Sequence, residues 1–444
     1  MMGNIDVHHK HLYPNKEALL FMKFKLSQIT NQRILNITTT HLVVGIDIAK
    51  ETHVARAVNF RGIELGRHLS FSNDAKGFEQ LLAWIRKLQN QHSLDKVIIG
   101  MEPTGHYWLN LAYWLVDKGV ETAVVDPFKV KKNKENRDNS QTKNDIKDAL
   151  VIADMIKNGY YSSVRLATGT HKSLRVLMTS RSFIQKNLLS VQNQIIRWID
   201  IYFPEYRNVF KDLCCRTSLV TLRLFPTPDD VLKYTPEEIQ SGWKKHMKRA
   251  EGLARAQTLL NQAQHSVGER EALEEAKLFL MQLLDQYKQM SKQLEEIETK
   301  ALSFLELIPY AKRMLAIKGI KSNAVAGILA EAGDLSQYQH GNQLLRHAGL
   351  HLCEDSSGKH KGQIVLSKRG RPRLRKLLYM AVLSLVSNNP EFKQLHEHNV
   401  KVKKMKGTNS ILKLCGKLAR ILVAMAKRGE AYQPEKIPTL APAA

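Results

Sequence analysis

Four carboxylates in the first third of the chain stand where a fold has little use for them. Asp47 interrupts an apolar run, VVGIDIA, and Glu102 ends another, VIIGMEPTG. Asp145 and Asp148 lie three apart in TKNDIKDA, a spacing that puts both on one face of a helix. In an α/β sheet the carboxyl ends of strands and the neighbouring helix starts converge on the ligand site. Four acids gathered there repel one another unless divalent cations neutralise them. Mg2+ (or Mn2+) suits such a set, because it takes hard oxygen ligands and keeps positions for water or phosphate. Two such ions about 4 Å apart stabilise both the attacking and the leaving oxygen of a phosphodiester. Each acid alone has an ordinary use: a strand-end hydrogen bond for Asp47, a cap in EPTG for Glu102, and helix-dipole compensation for Asp145 and Asp148. Taken together, in this order and on these elements, they point to metal-assisted phosphodiester chemistry.

A second reactive stretch is GLHLCEDSSGKHKGQIVLSKRGRPRLRKLLYMAV. Ser356 and Ser357 precede Gly358, with Lys359, His360 and Lys361 following, and Ser367-Lys368-Arg369-Gly370 leads into a helix carrying Arg371, Arg373, Arg375 and Lys376. A serine hydroxyl is a weak nucleophile that needs a base or metal to take its proton and cations to hold phosphate charge. Lys359, Lys361, Lys368, Arg369, Arg371, Arg373 and Arg375 are the nucleic-acid-binding candidates, since guanidinium forks match phosphate oxygens. A Ser-Ser-Gly turn beside a solvated basic loop is the plainer alternative. Upstream, LAIKGIKSNAVAGIL gives two helices around a turn at Lys318-Gly319-Ile320, a form that often holds phosphate without reading sequence.

The charge balance supports a polyanionic partner: 67 Lys+Arg against 42 Asp+Glu, a net charge of +25. Residues 356–430 alone hold 18 Lys+Arg against three acids. A membrane surface is the other available polyanion, but the chain has no apolar run of about 18 residues and no signal-peptide layout at its start. Cys214, Cys215, Cys353 and Cys415 form no C-x-x-C pair and have no His at zinc spacing, so reduced thiols in a cytoplasmic protein are expected.

The elements that must position these residues follow from the patterning. Residues 1–41 are polar and weakly periodic, and a poorly ordered extension is expected there. From His41 the runs LVVGIDIAK, HVARAVNF and Ile63–Phe71 give three antiparallel strands. A helix over Lys76–Leu88, a strand Lys96–Met101, a helix His106–Lys118, a strand Thr122–Asp126 and a helix from about Asn144 to Lys157 come next. That is an α/β domain over 42–162. Apolar residues at 174, 177, 184, 188, 191, 195, 198 and 202, broken by Arg181, form one heptad seam, and those at 280, 283, 287, 290, 294, 297, 301, 304 and 308 form another. They predict a coiled coil over 170–310 with a small helical insertion near 203–270 at its tip. A mainly helical, basic domain over 311–430 and a tail over 431–444 complete the chain.

GIDIAK, MEPTGHYW and TKNDIKDA together resemble the RuvC-like (RNase H-like) motifs of the DEDD insertion-sequence transposases. That is the insertion-sequence one-ten family with its eleven-eleven branch, whose relatives include the Piv and MooV DNA invertases. The likeness continues through LAIKGIKSNAVAGIL and LLRHAGLHLCEDSSGKHKGQIVLSKRGRPRLRKLLYMA into the family's C-terminal transposase domain, and spans about 42–428. Leu352, where a proline is common, and Cys353-Glu354-Asp355 depart from the family pattern. The resemblance implies that Asp47, Glu102, Asp145 and Asp148 are the catalytic metal-binding acids and Ser357 the nucleophile, with Ser356 a rival because the doubled serine leaves the register open by one. It further implies strand exchange through a covalent phosphoserine, a composite site shared between subunits of a dimer or tetramer, double-stranded DNA at element ends and target, and a structured bridge RNA that selects them. A bacterial, nucleoid-associated location goes with that reading. The alternatives are a RuvC-like structure-specific nuclease that needs the acids but not the serine, a DNA invertase of the same chemistry, and a non-enzymatic nucleic-acid scaffold.

Overall fold

The computed structural model describes residues 28–137, 145–164, 166–247, 252–354 and 364–434. Contacts divide the chain into two units, 1–166 and 167–444. The first is an α/β unit around a six-stranded sheet of order β3-β2-β1-β4-β5-β6. β1 (His41–Asp47), β2 (Thr52–Val58) and β3 (Leu69–Ser72) pair antiparallel. β4 (Lys96–Met101) runs parallel to β1, β5 (Glu121–Val125) parallel to β4, and β6 (Tyr161–Ser163) antiparallel to β5. β1 is apolar along its length because helices cover both of its faces. Leu42, Val44 and Ile46 pack on α1 (Ala75–His92) and α2 (Trp108–Asp117). Val43, with Ile98 of β4, packs on α4 (Asp145–Lys157). Asp74 caps α1, accepting the Gly77 amide at 2.7 Å and the Ser72 hydroxyl at 2.7 Å.

Three features of this unit depart from the expectation. The third strand is confined to Leu69–Ser72, while Glu64 lies outside it in a lone bridge with Val58 and an ion pair with Arg56. The basic stretch after β5 begins with a helix, α3 (Pro127–Arg137), which carries no apolar stripe to announce it. Residues 28–36 are helical rather than loose. That helix rests on Gly159, where a Cβ would come within 2.7 Å of the Thr30 carbonyl, and Arg33 lies over the Tyr161 ring.

The second unit is mainly helical. α5 (Gly169–Tyr202) and α6 (Leu273–Glu306) lie antiparallel, and every seam position named above is buried or half-buried. Arg181, the break in the seam, reaches across to Glu298 at 2.7 Å, and Trp198 Nε1 donates to the Ala276 carbonyl at 2.8 Å near the other end. Between them, five short helices from Tyr206 to Gln264 close over an aromatic core of Phe203, Tyr206, Phe225 and Trp243. Buried hydroxyls and ring N–H groups are satisfied there: Tyr206 donates to the Ser218 carbonyl at 2.7 Å and Trp243 Nε1 to Thr221 Oγ1 at 2.8 Å. At the opposite end, α7 (Ser322–Ala332), α8 (Pro372–Asn388) and α9 (Gly407–Arg428) bury one core with Leu174 of α5 and Leu305 of α6. A two-stranded hairpin, β7 (Leu352–Glu354) with β8 (Ile364–Leu366), stands beside them. No helix among the described residues is long and apolar enough to cross a membrane.

Candidate active site

Side chains alternate across a strand, so residues two apart share a face. Val43, Gly45 and Asp47 therefore face α4, as do Ile98 and Gly100, and the same alternation carries Glu102 to that side. In the parallel register Ile46 stands opposite Met101, which sets Asp47 and Glu102 level at the carboxyl ends of adjacent strands. Two glycines let α4 come down on this face. A Cβ on Gly45 would lie 2.1 Å from the Ala149 carbonyl oxygen and 2.4 Å from the Ala153 amide nitrogen, and one on Gly100 would meet Ile156 Cδ1 at 1.8 Å. The backbone of Ala149 is thus pressed onto β1 two residues before Asp47, and Asp148, its neighbour, is buried at 6% exposure. Asp145, one turn earlier, is exposed.

Glu102 is aimed by its own turn. Thr104 donates from its amide to the Glu102 carbonyl at 2.8 Å and from Oγ1 to Glu102 Oε1 at 2.8 Å, and Gly105 completes the turn at φ +64°. Asp47 and Glu102 are half-buried. As a donor set, carboxylate oxygens on one sheet face fit a hard divalent cation. Among the described residues no three His, Cys, Asp or Glu side chains are gathered closely enough to hold a metal ion. A further acid that the sequence reading passed over, Asp126, follows the next parallel strand. Its carboxylate accepts the Phe128 amide at 2.9 Å and so opens α3.

In the helical unit, Ser356, Ser357, Lys359 and Lys361 lie outside the described residues. The β7–β8 pair on either side of them is fixed at its base. Ser367 donates its amide to the His351 carbonyl at 2.9 Å, Lys368 to Gly349 at 3.0 Å and Arg371 to His347 at 2.8 Å. Two glycines allow this seam: a Cβ on Gly370 would lie 2.4 Å from the Gly349 nitrogen. Lys368 takes the left-handed backbone at φ +53° and, with Arg369, is exposed. Burial, with Arg346 and Arg369 nearby, lowers the pKa of His351 at the foot of β7.

The three remaining arginines of the binding set are used within the fold. Arg375 donates to the carbonyls of Ala348 at 2.9 Å and Lys368 at 3.1 Å. Arg371 donates to the Glu331 carbonyl at 2.9 Å, and Arg373 to the Met178 carbonyl at 2.9 Å and Ser182 Oγ at 2.8 Å. Both also flank the Glu331 carboxylate, at 3.5 and 3.4 Å. Glu331, a carboxylate inside the apolar run AVAGILAEA, is the signal that could have shown a local use for them. The Lys318-Gly319 turn is docked on the end of α8: Asn389 Nδ2 donates to the Lys318 carbonyl at 3.1 Å and Ser384 Oγ to that of Gly319 at 2.8 Å.

Two family models match the chain. The DEDD transposase model of the IS110 type covers residues 44–204, which include all four acids. The model described as transposase, IS116/IS110/IS902 family, covers 311–397, which include both serines. Among curated relatives, the pilin gene-inverting protein of Moraxella bovis is 32% identical over 110 residues, 25% of this chain and 32% of its own length. The insertion element IS116 uncharacterized 44.8 kDa protein of Streptomyces clavuligerus is 23% identical over 343 residues, 76% of this chain and 83% of its own. The insertion element IS900 uncharacterized 42 kDa protein of Mycobacterium paratuberculosis is 21% identical over 295 residues, 66% and 73% of the two chains. The chain spans about a third of the length of the pilin gene-inverting proteins that it matches.

Proposed function

We propose, since the chain belongs to the IS110 family of DEDD transposases by both matched domains, that it cuts and rejoins DNA strands as the transposase of an insertion sequence. The observation that carries this reading is the placement of acids on one sheet face and on the helix laid over it. Asp47 and Glu102 end adjacent parallel strands, and α4, which carries Asp145 and the buried Asp148, is laid on Gly45 and Gly100 of the same face. Three antiparallel strands followed by two parallel ones support a RuvC-like ancestry for the sheet, and the paired seams of α5 and α6 support a coiled coil. Asp47, Glu102, Asp145 and Asp148 would hold Mg2+ or Mn2+. When bound, the cation supplies neutralisation of the acids and of charge developing on the phosphate.

The chain's own residues carry the remaining steps. The hydroxyl of Ser357, or of Ser356, gives up its proton and bonds to phosphorus. One bridging deoxyribose oxygen leaves and takes up a proton, which stores the phosphodiester as a phosphoserine. Reversal of that step by a hydroxyl from the exchanged strand restores both DNA and serine. Lys359, Lys361, Lys368 and Arg369 bind the backbone through charge. Arg371, Arg373 and Arg375 serve mainly within the fold: Arg375 at the Ala348 and Lys368 carbonyls beside β8, Arg371 on α7 and Arg373 on α5. The excess positive charge, without an evident base-reading motif, suits a bridge RNA that selects the DNA by pairing. Exposed Val176, Phe183, Leu278 and Phe279 along α5 and α6 suit a homo-oligomer.

An inverting recombinase of the same chemistry is favoured by one finding, the likeness to pilin gene-inverting proteins. The test is a plasmid carrying both ends of the element, incubated with Mg2+ and the protein together with whatever RNA purifies with it. Wild type is expected to excise or invert the segment, while Asp47→Ala leaves it intact. Rearrangement by Asp47→Ala at the wild-type rate contradicts the carboxylate assignment, and inversion without excision selects the recombinase reading.

A further inference from the structure

Directly after Asp47 the chain turns through Ile48–Glu51 into β2, and three backbone groups of this turn are held by His53 and Asn73, two through side chains and one through the Asn73 backbone amide. His53 of β2 is fully buried on the α1 face of the sheet, opposite the face that carries the acids. Its ring stands edge-on to Phe71 at 5.3 Å and parallel to Phe78 at 6.4 Å. Nδ1 accepts the amide of Ala49 at 3.3 Å. Asn73, just after β3, takes the next two residues: Nδ2 donates to the Lys50 carbonyl at 3.1 Å, and its amide donates to the Glu51 carbonyl at 2.8 Å.

An imidazole that accepts at Nδ1 is neutral and carries its proton on Nε2. That Nε2 and Oδ1 of Asn73 are both buried and outside hydrogen-bond geometry with any partner, although Asn73 is near enough to raise the His53 pKa against the larger effect of burial. Packing alone does not call for an imidazole between Phe71 and Phe78, because a leucine would fill that space without bringing a polar Nε2 to bury. What the imidazole does, and a leucine cannot, is hold the Ala49 amide two residues beyond Asp47.

We propose that His53 and Asn73 are a positioning pair. They fix the turn that follows Asp47 and thereby the approach of its carboxylate to a divalent cation. The proposal rests on the carboxylate reading of the site. The pair acts through the backbone, from the far side of the sheet, and touches neither cation nor DNA. Groups that orient a ligand in this indirect way influence metal affinity without coordinating.

The test is an Mn2+ titration of the full chain followed by electron paramagnetic resonance, with a thermal melt of each protein. Asp47→Ala is expected to remove the tight Mn2+ site. His53→Leu is expected to weaken it about tenfold while melting no lower than wild type, and Asn73→Ala to weaken it about threefold. His53→Asn, whose amide oxygen can replace Nδ1 as acceptor, is expected to bind within about twofold of wild type. Wild-type affinity in His53→Leu, with the site lost in Asp47→Ala, overturns the positioning role alone. Equal weakening in His53→Asn and His53→Leu assigns the effect to packing and also overturns it. If His53→Leu does not fold, Asn73→Ala decides, and unchanged affinity there overturns the role. Wild-type Mn2+ binding by Asp47→Ala removes the carboxylate site itself, and this inference with it.

Discussion

Glu331 sits at 9% exposure beneath Arg371 and Arg373, and Arg175 donates to the carbonyls of Ala330 at 2.8 Å and Glu331 at 3.3 Å. The buried acid thus ties α7 to the start of α8, while Arg175 of α5 is held by backbone carbonyls of α7. Removing one member of a buried ion cluster strands the others, at a cost of several kcal/mol when all are buried. These arginines are partly solvated, so Glu331→Ala is expected to destabilise the helical unit by about 2 kcal/mol in urea denaturation. Arg373→Ala should do the same and alter DNA affinity mainly through folding. Lys368 makes the opposite prediction. Lys368→Asn keeps the left-handed backbone that asparagine tolerates. It should leave the denaturation midpoint unchanged and lower the salt dependence of DNA binding by about one phosphate contact. An unchanged salt slope would remove Lys368 from the interface.

At the scale of elements, the site depends on how closely α4 approaches the sheet. A Cβ on Gly45 would strike backbone atoms of Ala149 and Ala153, which can yield only by lifting the helix, whereas one on Gly100 would strike the tip of Ile156, which can rotate. Gly45→Ala is therefore expected to cost about 3 kcal/mol and Gly100→Ala about 1 kcal/mol, with metal-dependent activity lost in the first and largely kept in the second. Equal costs would mean that α4 is not seated as described. The same contrast explains what was legible in the sequence. β1 and β4 announced themselves as apolar runs ended by acids, and α4 by two acids on one face, because burial on both sides leaves a continuous apolar signature. α3 was not legible: PFKVKKNKENR has no apolar period, and its start is set by the Asp126 cap. β6 is only three residues long, too short for alternation to show. The arginines on α8 read as phosphate ligands because their acceptors, mostly backbone carbonyls on distant elements, leave no mark in the local sequence.

For the whole molecule, the +25 charge argues for nucleic acid but does not say which cations meet it. The structure narrows that set by assigning several arginines to internal work. Histidines add a pH dependence. Burial is the largest cause holding His41, His53, His171 and His351 below the ordinary value of 6.5. Between its folded and unfolded pKa values such a group binds more protons unfolded than folded. Its stabilisation is therefore complete above 6.5 and is lost as the pH falls through the window beneath. The melting temperature is expected to drop as the pH is lowered below about 6.5, and to drop less in His53→Asn. Asp230 acts in a separate window. Burial pushes its carboxyl up, but Lys233, Lys277 and Thr227 together hold it at about 2. Its tie between the tip and α6 should survive until the pH falls below the ordinary value of 3.8.

Protein–DNA adducts formed in Mg2+ on DNA bearing the element ends, digested and sequenced by mass spectrometry, test the metal–serine mechanism most directly. A peptide linked to DNA through Ser357 or Ser356 in wild type, absent from Asp47→Ala and from the corresponding serine-to-alanine protein, is the expected result. DNA cut to free ends alone, by wild type and by both serine variants alike, would contradict it and leave a carboxylate nuclease in its place.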